Sequence, residues 1–61
     1  MTDFTFQIGD TVKIRGGYVN HTVVDRFWLR GGPWYRVRSA LHGVIPVEVA
    51  EDQIYGVEVI Q

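Results

Sequence analysis

The chain has 61 residues, 46% of them hydrophobic and 21% charged, with a formal net charge of -1 and no cysteine. That length makes one domain, residues 1–61, around one small core. Disulfides and thiolate metal sites are excluded, two histidines (His21 and His42) are too few for a zinc site, and the near-neutral balance does not make the whole chain a polyanion binder. No apolar run approaches the ~20 residues of a membrane span. Met1-Thr2-Asp3 is neither basic nor apolar, so no membrane association and a cytoplasmic location are expected.

In chain order, Phe4, Phe6 and Ile8 alternate with polar residues and lead into a turn at Gly9-Asp10. Thr11 to Arg15 alternates, with Val12 and Ile14 inward. Gly16-Gly17 breaks the pattern and a polar loop, Tyr18 to Thr22, follows. The next segment puts Val23, Asp25, Phe27 and Leu29 on one side and Val24, Arg26, Trp28 and Arg30 on the other, up to the turn signal Gly31-Gly32-Pro33. Trp34 to Leu41 alternates with Tyr35, Val37 and Leu41 inward, and His42-Gly43 turns the chain again. Val44 to Val49 is a short β-branched strand with Ile45, Val47 and Val49 inward. Glu51 to Tyr55 has the composition of one helical or 3₁₀ turn. Val57 to Ile60 is the last strand. No apolar 3.6-residue period persists, so the expectation is an all-β fold of five short strands. With one 3₁₀ turn before the last strand, the order from Phe6 to Ile60 resembles the SH3-like barrel.

The central hairpin, Val23 to Leu41, carries the main functional expectation. If Phe27 and Leu29 share the core face with Tyr35 and Val37, paired positions sum to an even number, which requires a three-residue turn, Gly31-Gly32-Pro33. Arg30 then faces Trp34, Trp28 faces Arg36, and Arg26 faces Arg38. The next hairpin sets Glu48 opposite Arg36. Arg26, Trp28, Arg30, Trp34, Arg36 and Arg38 would form one outer surface holding four of the six basic residues and both tryptophans. Guanidinium and indole at about 4.5–5.5 Å between Cβ atoms stabilise each other. They are also the groups that anchor interface centres. The surface can be a self-sufficient ladder, a homo-oligomer interface or a site for a foreign partner. Single-stranded nucleic acid fits chemically, through stacking on indole and phosphate contacts to arginine, and the acidic balance of the chain counts against it.

Other positions offer less. Lys13 and Arg15 read as a solvated face, with Glu58 a candidate partner. His21 and His42 read as loop and turn residues, Ser39 faces inward without a base, and Glu51-Asp52 reads as the start of the helical turn, where a carboxylate caps free N–H groups. The glycine pairs lack the strand–loop–helix setting of a phosphate loop.

Two further resemblances concern function. Gly9-Asp10-x-Val12 with Tyr35-x-Val37-x-Ser39-x-x-His42 is similar to the plasmid-borne type II dihydrofolate reductases, homotetrameric SH3-like barrels that bind NADPH and dihydrofolate in a central pore. That likeness aligns Val47-Glu48-Val49-Ala50 with the pore strand. Glu48 replaces a glutamine, Ala50 a tyrosine, and Ile14 the pore lysine. Gly9-Asp10-x-Val12-x-Ile14-Arg15, His21-Thr22, Arg26-Phe27, Arg30-Gly31 and Pro33-x-Tyr35-x-Val37-Arg38 resemble the barrel at the end of the nitrile hydratase β subunit, which implies a partner-binding role.

These readings combine into a non-catalytic binding or assembly module with no cofactor, no metal and no catalytic residue. It would meet a protein partner or a second copy through the six-residue Arg/Trp surface. A type II dihydrofolate reductase-like enzyme and a nucleic-acid-binding barrel are the alternatives.

Overall fold

A computed structural model describes residues 3–41 and 45–57. Five strands form one antiparallel sheet: β1 (Thr11–Ile14), β2 (Asn20–Leu29), β3 (Gly32–Ser39), β4 (Val47–Ala50) and β5 (Ile54–Gly56), in the order β4-β3-β2-β1-β5. A 3₁₀ turn, Glu51–Gln53, joins β4 to β5. The all-β class and the single short turn before β5 agree with the sequence. The His42-Gly43 turn and the segment after Val57 lie outside the described residues.

One face of the sheet carries the core: Val12, Val23, Tyr35, Val37 and Ile54 are buried, and Phe4, Phe6, Ile14 and Val49 pack against them. β-branched side chains suit this face because they fill a pleated surface while losing little rotamer freedom. Each such side chain, fully buried, contributes roughly 1.5–3 kcal/mol of transfer free energy.

The expected inward positions Val12, Ile14, Val23, Tyr35, Val37 and Val49 are correct, and Phe27, Leu29, Leu41, Ile45 and Val47, which is 40% exposed, need correction. Leu41 and Ile45 are 60% and 78% exposed. Asn20 already belongs to β2, so His21 is a strand residue between Val12 and Ser39 and not a loop residue. Its Nδ1 lies 3.0 Å from the Val19 carbonyl. Ile54 begins β5, which shortens the helical segment to Glu51–Gln53.

The largest correction concerns the β2–β3 hairpin. Leu29 pairs with Gly32, so the turn is the two residues Arg30-Gly31 and not Gly31-Gly32-Pro33. Both have positive φ, 54° and 78°. Two left-handed residues are what a type I′ turn requires, and its twist matches that of the strands it joins. The odd register of this turn would put Tyr35 and Val37 out of phase with Val23. A β-bulge restores the phase: Val23 pairs with Val37, Asp25 with Arg36, and Val24 is left without a partner. One extra residue exchanges the faces of everything that follows it in the strand. Phe27 pairs with Trp34, and Arg26 with the buried Tyr35. Phe27 and Leu29 therefore lie on the outer face, while Arg26 and Trp28 lie on the core side.

Candidate binding groove

The six residues expected on one surface are divided by the two-residue turn, whose odd register puts Arg26 and Trp28 on the face opposite to Trp34 and Arg36. Trp34, Arg36 and Arg38 share the outer face of β3, where their neighbours on β2 are Phe27, Asp25 and Thr22. Arg26 and Trp28 sit on the opposite face, and Arg30 occupies the turn. The expected pairs Arg30–Trp34, Trp28–Arg36 and Arg26–Arg38 do not form. The pairing of Glu48 with Arg36 does form, with Nη2 and Oε2 2.6 Å apart, and Asp25 flanks the same guanidinium at 3.8 Å. The hydrogen bond and charge of Glu48 raise Arg36 above its ordinary pKa. Arg36 is thus neutralised from both neighbouring strands.

Trp34 heads a different constellation. Across the ladders it lies between Phe27 of β2 and Ala50 of β4. Beyond it, toward the turn, a groove of about 390 Å³ opens between the hairpin end and the 3₁₀ turn. Leu29, Pro33, Trp34 and Ala50 give it an apolar lining; Arg30 stands on one wall and Asp52 on the other. Leu29 is 39% exposed. The Asp52 wall is fixed to β1, because Arg15 Nε donates to the Asp52 carbonyl at 2.7 Å and Arg15 N–H to the Gln53 carbonyl at 2.8 Å. Among the described residues no carboxylate lies within 4.0 Å of the Arg30 guanidinium, the ion pairs there being those of Arg36.

Glu51 also borders the groove, but its carboxylate is occupied. It accepts from the Tyr35 hydroxyl, from Thr5 N–H at 3.1 Å and from the Thr5 hydroxyl at 2.8 Å. It makes no cap for its own 3₁₀ turn, contrary to the role read from sequence. Partial burial pushes the Glu51 pKa up, and the bonds from Tyr35 and Thr5 outweigh it, so the net shift is downward. Tyr35 moves the opposite way: burial, then the bond to Glu51, raise its pKa above the phenol's ordinary value.

Sequence reading missed Leu29, Asp52 and Glu51 as site residues. The Arg-Gly pair was a weak signal for Leu29, because an arginine is disfavoured at the left-handed positions that a two-residue turn needs. Asp52 and Glu51 carried no such signal, since only the return of the chain from β4 brings them to the turn. Among the described residues no group of three or more His, Asp or Glu side chains converges on a metal-sized site, and no helix is long and apolar enough to cross a membrane. Comparison with protein-family models, curated proteins and solved structures finds no significant match to this chain.

Proposed function

We propose that the chain is an SH3-like barrel that works as a binding module, taking a protein segment in the groove beside Trp34. The strand order, the bulged long β2 and the 3₁₀ turn before β5 support the barrel reading. The observation that carries the function is Arg30. It is a non-glycine residue at φ 54°, where glycine or asparagine is more stable. The backbone accepts that cost at the one position that sets a guanidinium at the lip of an indole-lined groove. Local strain of this kind concentrates at functional sites. The partner chemistry follows: an acidic side chain or chain terminus to meet Arg30, next to an apolar side chain to cover Trp34 and Leu29. The outer face offers little to a polyanion, since Arg36 is already held by Glu48 and Asp25.

The test is selection of random hexapeptides displayed on phage against the intact chain, followed by affinity measurement on Arg30→Asn and Trp34→Ala. Enriched peptides should pair Asp or Glu with a large apolar residue. They should lose about tenfold or more in affinity to either variant, the scale of a lost interface anchor. Arg30→Asn should at the same time be as stable as the wild type or more so. Peptides that bind both variants as well as the wild type would place the binding surface elsewhere.

A further inference from the structure

The core side of the sheet holds a second recognition arrangement, which shares only Glu51 with the groove. The segment Asp3–Gln7 belongs to no strand and bends at Thr5 and Phe6, and its two phenylalanines pack on the inner face. Its backbone is fastened by side chains. Phe6 N–H donates to the Tyr35 hydroxyl at 3.2 Å, Arg26 Nη1 donates to the Phe6 carbonyl at 3.4 Å, and Thr5 presents both its N–H and its hydroxyl to the Glu51 carboxylate. Phe4 meets Trp28 and Tyr35 edge-on, with centroids 6.2 and 5.8 Å apart, and the Arg26 guanidinium sits 5.0 Å above its ring. Phe6 meets Tyr35 edge-on at 5.6 Å and rides against Gly56, where a Cβ would stand 3.4 Å from its ring. Two aromatic sockets flank a bidentate acceptor for a hydroxyl-bearing residue. Hydrogen bonds to main-chain groups hold a peptide in place, and pockets for its side chains select its sequence.

We infer that Phe4-Thr5-Phe6 is an intramolecular ligand, and that its slot, built from Arg26, Trp28, Tyr35, Glu51 and Gly56, is a recognition site for a bent aromatic–Thr/Ser–aromatic segment of a partner protein. The occupant visible in the structure defines the partner's chemistry. Aromatic residues fill the Trp28/Arg26 and Tyr35/Gly56 sockets, and a hydroxyl between them answers Glu51. A partner must displace the strap, so the free slot is available only in proportion to the strap's dissociation, and the apparent affinity falls by that fraction.

The two tryptophans make the inference testable apart from the groove, since Trp28 reports on the slot and Trp34 on the groove. A synthetic Asp-Phe-Thr-Phe-Gln-Ile peptide is titrated into the full wild-type chain and into the full Thr5→Glu chain, with the two indole N–H resonances followed by NMR. Thr5→Glu removes the hydroxyl donor and sets a carboxylate against Glu51, so the strap loosens while the slot is untouched. The peptide should shift the Trp28 indole resonance saturably, with an apparent affinity about tenfold higher for Thr5→Glu than for the wild type, while Trp34 stays in place. Replacing the peptide's threonine by valine should remove most of the gain. Thr5→Ala, which removes only the hydroxyl bond, takes the place of Thr5→Glu if that variant does not fold. A dispersed spectrum in which the peptide leaves Trp28 unmoved, or moves Trp34 alone, would overturn the inference. Wild-type dimers that the peptide dissolves would also overturn it, and would assign the slot to the strap of a second copy.

Discussion

Trp28 and Trp34 belong to one hairpin and look equivalent in the sequence, yet they stand on opposite sides of the sheet. Trp34 lies on the outer face between Phe27 and Ala50 and lines a groove. Trp28 lies on the core side, 49% exposed, with its covered surface against Phe4. The difference is made by the two-residue turn, whose odd register pairs Phe27 with Trp34 and Trp28 with Pro33. The bulge at Val24 decides which of the two faces the core: it brings Val23 into phase with Val37, so β2 serves the core through Val23 before the bulge and through Arg26 and Trp28 after it. In a strand with a period of two, the length of one turn and one unpaired residue have more influence on where chemistry appears than any change in composition.

The comparison can be broken most severely at Tyr35, which belongs to the Trp28 side alone. Tyr35→Phe leaves the Phe6 N–H and the Glu51 carboxylate without their shared partner. About 1–3 kcal/mol of stability should be lost, a large share of the roughly 3–9 kcal/mol available to a domain of this size. Chemical denaturation measures it, and Trp28 emission should change while Trp34 keeps its environment. The loss should depend on pH. Glu51 is held below its ordinary pKa, so its contribution is complete above the unfolded carboxyl's value, about 4.3, and fades as pH falls through the lower folded value. Tyr35 is held above its ordinary value, so its contribution is complete below about pH 10 and fades as pH rises through the higher folded one. The gap between wild type and Tyr35→Phe should therefore be widest near neutrality and narrow at both extremes.

The Trp34 side should respond with the opposite sign. Arg30→Asn relieves a left-handed arginine and should raise stability by up to about 1 kcal/mol, read as a higher melting temperature, while abolishing peptide capture in the groove. A fall in melting temperature would show that the Arg30 conformation is not strained. The smallest effect belongs to the Asp25–Arg36–Glu48 row. These side chains are half exposed, so Arg36→Ala should lower the denaturation midpoint only slightly, and less at high salt. A larger, salt-insensitive loss would mean that the row is structural rather than a neutralised patch.

Much of the fold was legible because it rests on local patterns. The alternation of Thr11 to Ile14 placed Val12 and Ile14 on the core, and the β3–β4 register followed from setting Val37 beside Val47 and Tyr35 beside Val49, which also brought Glu48 to Arg36. The face of Phe27 and Leu29 was not legible. Their apolar character demanded burial, and strict alternation from Val23 granted it, but the structure keeps Phe27 partly covered by pairing it with Trp34 outside. Nothing in Val23-Val24-Asp25 marks a bulge. Two of the six expected site residues, Arg30 and Trp34, meet at the groove. The other four separate because their union depended on the register of a turn, and the turn was set by the φ of an arginine. The strap was visible as an alternating lead-in, Phe4 to Ile8, but its fastening by Glu51 and Tyr35 is long-range and left no trace in spacing.

The central claim, that the two-residue Arg30-Gly31 turn sends the two tryptophans to opposite faces, is tested most directly by nuclear Overhauser contacts in the wild-type chain. The account predicts cross-peaks from the Trp28 ring to Phe4 and from the Trp34 ring to Phe27 and Ala50. Cross-peaks joining Trp28 to Arg36 and Arg30 to Trp34, with Phe27 contacting Val37, would restore the register of a three-residue turn and contradict it.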